Sequence, residues 1–198
     1  MAMISTADGG DGMSYHVMIQ EQDYSCAAAS LCMIVWMKKG KFLREDQARL
    51  LIEHCYAQGK GRDARNAWIP IDWRRKGVAP KVLFAATMKA LSMAHQRGGK
   101  LADVNAQSET ELSNKYNSAG LLRKVDRNCP GIIGIKRSDG WHAVVAANKT
   151  DTHMIVLDPA CGIALVKLAD IDAGGYAPQG KGTEFRGDLD FCLLFPEG

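Results

Sequence analysis

The sequence predicts an α+β fold, a helical subdomain packed against an antiparallel β-sheet. Up to about residue 127, apolar residues recur at helical spacing in segments that end near glycines. After Pro130 the pattern changes to short apolar runs separated by turn residues. Helices first and strands second is the order of an α+β protein, with a cleft expected where the two layers meet. A length of 198 residues with 46% hydrophobic content fits one domain, since a domain is typically roughly 100–200 residues.

Residues 1–14 hold Gly9, Gly10 and Gly12 among small and acidic residues and read as a flexible tail or linker, leaving 15–198 as the domain. From Ser25, a candidate N-cap, to Met37 the chain is apolar on every side. That describes a buried central helix, ended by Lys38, Lys39 and Gly40. A second helix is expected from Arg44 to Ala57, where Leu50, Leu51 and Cys55 keep helical spacing and Gly59 stops it. Residues 58–78, rich in Gly, Arg and Trp, read as a loop. Pro80 suits the first turn of a third helix running to Gln96, with Gly98 and Gly99 beyond it. Residues 100–108 look irregular and 109–127 helical. Strands are expected at 132–136, 141–147, 154–157, 163–166 and 191–195, from their apolar runs between turn residues.

Composition excludes several functions. The longest strongly apolar runs, Leu31 to Trp36 and Ala143 to Ala147, are far shorter than the ~20 residues of a spanning helix. No membrane association is expected. The N-terminus lacks a basic start followed by an apolar stretch, so a cytoplasmic protein without a Sec signal is expected. A formal charge of +3 is too small to indicate nucleic acid. The basic residues Lys60, Arg62, Arg65, Arg74, Arg75, Lys76 and Lys81 read as a solvated face. The six cysteines are widely spread with no CxxC pair, so no metal site is expected, and they read as mostly buried thiols.

The chemistry is concentrated in the stretch QEQDYSC, Gln20 to Cys26. A cysteine in the first turn of a buried helix meets the positive end of the helix dipole, which favours thiolate. A nucleophilic thiol needs a base. Among five histidines, His54 and His95 belong to helical segments, His16 lies near the tail, and His153 opens a strand beside a turn. His142 follows the turn RSDG and Trp141 and leads into AVVAA, a rigid strand suited to carry a base. Asp158, in MIVLDPACG, is the candidate for orienting its imidazole. A hairpin centred on Thr150 would pair His142 and Asp158 directly, with Cβ atoms roughly 4.5–5.5 Å apart. A glutamine on the loop before the helix could stabilise an oxyanion beside the cysteine N–H, a role open to Gln20 and, by spacing, to Gln22.

These residues resemble, in order and placement, the papain-like cysteine peptidases. Within them the chain is most similar to the bacteriocin-processing double-glycine leader peptidases. The family pattern of Gln, then an acidic-Cys-Gly stretch in a small-residue helix, then His-Tyr-Val-Val, then Asp-Pro with a following glycine reads here as Gln20, Cys26 with Ala27 to Ala29, His142-Ala143-Val144-Val145, and Asp158-Pro159 with Gly162. Ala27 stands where the family has glycine and Ser25 where it has an acid. The resemblance implies Cys26 as nucleophile, His142 as base, Asp158 as orienting acid and Gln20 in the oxyanion hole. It also implies a protein substrate, no cofactor and cleavage after Gly-Gly, with Gly9-Gly10 as a conceivable self-processing site.

With neither transporter segments nor an inhibitory pro-segment, the chain resembles stand-alone toxin or effector domains that bacteria deliver into other cells. An immunity protein or chaperone is the partner such a domain implies. The same thioester chemistry serves glutamine deamidation or acyl transfer, and a non-catalytic peptide-binding module of the same fold is the reading from another class.

Overall fold

The computed structural model describes residues 4–60, 77–95, 118–180 and 183–196. It is a mixed structure of helices and antiparallel sheet. Two strands, β1 (Ile4–Asp8) and β2 (Ser14–Met18), form a hairpin. Helices α1 (Cys26–Lys39), α2 (Glu45–Cys55), α3 (Pro80–His95) and the short α4 (Ser118–Leu122) follow, with a π-helical turn at Tyr56–Lys60. Then come β3 (Gly131–Arg137), β4 (Gly140–Lys149), β5 (His153–Asp158), β6 (Gly162–Lys167), α5 (Leu168–Asp172), β7 (Gly175–Tyr176), β8 (Pro178–Gln179) and β9 (Gly187–Leu194).

The large sheet has the order β7-β9-β3-β4-β5-β6-β8. Its end strands β7 and β8 are separated in sequence by Ala177 alone. At roughly 3.3–3.6 Å per residue the link cannot cross a flat sheet, so the sheet curls until its two edges approach one another. The inner face is a closed apolar core that includes Ile133, Val144, Val156, Val166 and Tyr176. The outer face, with Ile132, Val145, Ile155 and Leu193, packs on α1, α2 and α3.

Helix α1 is apolar all round because it is covered all round: Leu31, Ile34 and Ala28 are fully buried. It ends at Gly40, whose left-handed backbone (φ 58°) lets its N–H donate to the Trp36 carbonyl. No described helix is long and apolar enough to cross a membrane. The six cysteines form no disulfide; Cys26, Cys32, Cys55 and Cys192 are buried, and Cys129 and Cys161 half-buried.

Three expectations change. Residues 4–8, read as part of a tail, pair with 14–18, and Tyr15 folds over the hairpin turn to donate to Asp11 at 2.5 Å. Alternation of apolar residues in SYHVM is too short to announce a strand whose partner is polar. The helix expected over 109–127 ends at Leu122, where the chain turns through Asp126, whose carboxylate accepts from the N–H groups of Asn128 and Cys129; residues 109–117 lie outside the described residues. Most of the loop expected over 58–78 also lies outside them. The direct pairing of His142 with Asp158 does not occur. The loop between β4 and β5 is Thr150 to Thr152, and an extra residue, Ala147, stands between the pairs Ala146↔Val156 and Asn148↔Ile155.

Candidate active site

Cys26 is the first residue of α1, and the chain before it explains why its end of the helix is chemically exposed. Ser25 is fully buried but does not cap the helix. Its hydroxyl turns back on the loop instead, donating to the Gln22 carbonyl (2.9 Å) and accepting from the Gln22 N–H (3.1 Å). No acidic side chain lies in the first turn. The positive pole of α1 is therefore left for whatever approaches Cys26.

The loop is fixed on both sides. The Gln20 N–H donates to the Pro159 carbonyl (2.9 Å), and the Glu21 N–H donates to the buried Glu45 carboxylate (2.9 Å), which also faces Arg49 (3.6 Å). Gln20 and Cys26 both line one cleft of about 910 Å³ between the helices and the end of the sheet. Gln22 does not line it. Gln20, the glutamine favoured from the sequence, therefore lies on the cleft, and its rival Gln22 does not.

His142 lies on β4 on the other wall of that cleft, buried to 6% exposure. Its Nε2 is 2.8 Å from Asp158 Oδ1 at the end of β5. Nδ1 is not engaged by that contact, and Cys26 lines the same cleft as the ring. Burial of the imidazole disfavours its charge, but the hydrogen bond to Asp158 and that carboxylate's charge, with a further contribution from nearby Cys26, outweigh this and push its pKa up to about 9. Asp158, fully buried, also accepts from the Ala160 N–H (2.8 Å) and the Tyr176 hydroxyl (3.4 Å). Burial, then the Asp158 charge, drives the Tyr176 phenol well above its ordinary value, so it remains a donor.

Above the imidazole lies Phe185, from a 3-10 turn at Thr183–Phe185. Its ring stacks on His142 (centroids 5.0 Å apart, 23° between planes), and the Arg137 guanidinium sits 4.8 Å over its centroid while pairing with Asp139 (2.7 Å). One further bond joins the two walls. The Ser30 hydroxyl, one turn beyond Cys26, donates to the Ala143 carbonyl next to His142 (3.1 Å).

Sequence reading thus named four residues that lie together on this cleft or against it: Cys26, His142, Asp158 and Gln20. Of the other histidines, His16 bonds Thr6 and meets Trp36 edge-on, His54 is exposed on α2, and His153 lies beside Thr152 at the start of β5. The side chain of His95 lies outside the described residues. The supports Ser30, Tyr176 and Phe185 were not foreseen. A serine in an apolar helix was the only signal among them; the aromatics arrive through the curl of the sheet, which no local pattern encodes.

No family model and no curated protein matches this chain. Among solved structures, that of the Pseudomonas avirulence protein AvrPphB is similar at 12% identity and a TM-score of 0.31, covering 86% of this chain and 84% of that one.

Proposed function

We propose that the protein is a cysteine peptidase of papain-like type, with Cys26 as nucleophile, His142 as general base and acid, Asp158 as the orienting carboxylate and Gln20 in the oxyanion hole. The observation that carries this reading is the imidazole of His142, bonded at Nε2 to a buried carboxylate and lining the same cleft as the helix-terminal thiol of Cys26. A histidine with its pKa raised to about 9 holds a proton at neutral pH, the state that pairs with a thiolate.

The thiolate attacks the scissile carbonyl carbon, and the oxyanion forms toward the Cys26 N–H and the Gln20 side-chain amide. His142 gives its proton to the leaving amine as the C–N bond breaks, leaving a thioester. Water then attacks the thioester with His142 taking its proton, and the thiolate departs with the imidazolium restored. Asp158 fixes the imidazole throughout, and Phe185 covers its face from water.

The same reading carries a small residue at the cleavage site, Gly-Gly above all, as the family resemblance implies. We assign the protein a role as an effector against bacterial cells, restrained in the producer by an immunity protein or chaperone. The test compares wild type with Cys26→Ala in a bacterial lysate by mass spectrometry of protein N-termini. New N-termini that require Cys26 are expected, with small residues before the cut. Intact proteins gaining about one dalton at glutamine would move the assignment to a deamidase, and growth unaffected by wild-type expression in a bacterial cytosol would remove the effector role.

A further inference from the structure

The cleft carries a carboxylate that the chemistry above does not use. In the pairing of β3 with β9, Gly134 faces Phe191 and Ile135 faces Leu189, so Asp190 is an extra residue on β9. In a regular strand Asp190 and Phe191 would point to opposite faces. The bulge turns both toward the cleft, and both line it. The Phe191 ring lies where a Cβ on Gly134 would be, 2.0 Å from that position, so the absence of a side chain at Gly134 is what lets β9 adopt this course.

Asp190 is half-buried and, among the described residues, makes no hydrogen bond or ion pair. Burial raises its pKa, while the charge of Lys136 acts against the rise. Among the described residues, the other charges on the cleft do not neutralise it. Arg137 is held by Asp139 (2.7 Å) beside Phe185, and the exposed Asp23 on the opposite loop makes no ion pair. Among the described lining residues, aspartates thus outnumber basic side chains, on a chain whose formal net charge is +3. A carboxylate taken partly out of water without a partner is costly, and a cation delivered by a ligand relieves that cost. Tyr56, Leu83 and Phe191 supply apolar walls in the same cleft, against which the methylene stem of a long basic side chain can lie.

We propose that Asp190 is a specificity-determining residue that selects substrates with a lysine or arginine close to the scissile bond. The proposal rests on the peptidase reading and deepens it. The small residue expected at the cut and the basic residue expected beside it are separate requirements, one implied by the family resemblance, the other by the charge at Asp190.

The test uses the full chain and tetrapeptidyl acyloxymethyl ketones carrying Lys, norleucine or Glu at one position at a time, with the Cys26 adduct followed by intact mass. At one position the order Lys, norleucine, Glu is expected, with Lys favoured over Glu by at least about tenfold at low salt. The ratio shrinks as salt screens the pair. In Asp190→Asn the ratio of Lys to norleucine falls toward one, and in Asp190→Lys the Glu probe becomes the faster. Should the lysine variant fail to fold, the isosteric asparagine variant and the wild-type ratios decide the matter. Equal labelling by Lys and norleucine probes at every position, or a ratio that survives Asp190→Asn, overturns the proposal and leaves the peptidase reading standing. Iodoacetamide labelling of Cys26 without labelling by any peptide probe overturns both.

Discussion

His142 and Asp158 are 2.8 Å apart although they do not face one another across their strands. Continuing the register from Val145↔Leu157 by one residue sets Asp158 opposite Val144, two residues along from His142. What brings them to one face is the bulge at Ala147. With Ala147 paired as an ordinary strand residue instead of bulged, the register Asn148↔Ile155 would run on to set Asp158 opposite Val145, which points to the helical layer. Because side chains alternate, His142 and Asp158 would then lie on opposite faces of the sheet. Whether Ala147 is bulged or paired therefore decides whether imidazole and carboxylate share a face.

Replacing that partner measures its worth. In Asp158→Asn the hydrogen bond to Nε2 keeps its geometry but loses its charge, so the His142 pKa falls from about 9 and the imidazole is less often protonated beside the thiol. Peptidase activity is expected to drop by roughly 10²–10⁴-fold, the range of acid–base contributions. Titration of the His142 ring by NMR checks the pKa, and the rate of peptide-probe labelling at Cys26 checks the activity. Full activity in this variant would exclude Asp158 as the orienting group.

The raised His142 pKa also fixes the direction of pH effects. Because the folded-state value of about 9 lies above the ordinary 6.5, the stabilising contribution is fully present below about pH 6.5 and is lost as pH rises through about 9. Thermal unfolding should therefore show Tm falling across that window in wild type. In Cys26→Ala the thiol's hydrogen bond and charge are gone, so the His142 pKa drops and the decline in Tm moves to lower pH. Activity is expected to decline on the alkaline side as His142 loses the proton it gives to the leaving amine. A His142 titration identical in wild type and Cys26→Ala would mean that the two side chains do not interact.

The legible part of this fold was what local pattern encodes. The all-apolar stretch from Cys26 to Trp36 could only be a buried helix, and five apolar runs after Pro130 became β3, β4, β5, β6 and β9. Cys26, His142 and Asp158 could be picked out because each stands where an element begins or ends. The register was not legible. Arithmetic on a hairpin assumes equal numbers of residues on both strands, and neither the Ala147 bulge nor the Asp190 bulge leaves a mark in composition. Strands β7 and β8, two residues each, exist only because the curled sheet supplies their partners β9 and β6. Tyr176 reaches Asp158 by that route, so its role depends on closure of the sheet rather than on its neighbours in sequence.

Gly134 offers a test of the second bulge. A methyl group there would meet the Phe191 ring at 2.0 Å, far inside contact distance, and both backbones are held by strand pairing. Gly134→Ala is expected to destabilise the protein by about 1–3 kcal/mol, as overpacking does, read as a lower urea midpoint at unchanged slope. The displaced ring shares its bulge with Asp190, so selectivity between Lys and Glu probes should fall more than Cys26 labelling by iodoacetamide. A variant that is as stable as wild type would contradict the tight approach of β3 and β9.

The last prediction concerns how the two walls of the cleft keep their distance. Cys26 belongs to α1 and His142 to β4, elements held together mainly by non-directional apolar contact. The bond from the Ser30 hydroxyl to the Ala143 carbonyl, buried at 3.1 Å, is a directional contact between them. Losing it leaves a buried carbonyl with one partner fewer, a penalty of about 1 kcal/mol. If the bond serves only stability, Ser30→Ala lowers the urea midpoint and leaves kcat unchanged once the protein is folded. If it also sets the reach from thiol to imidazole, kcat falls by about tenfold or more under conditions where the variant is fully folded, because small misplacements of reacting groups are costly. The second outcome is expected, since Ala143 is the immediate neighbour of His142 and Ser30 lies one helical turn from Cys26. Ser30→Thr keeps the hydroxyl and should restore much of the loss, and the pKa of His142 should fall in the alanine variant as the thiol moves out of reach. Urea unfolding, kcat from a peptide substrate and the NMR titration of His142 together separate a stabilising bond from a positioning one.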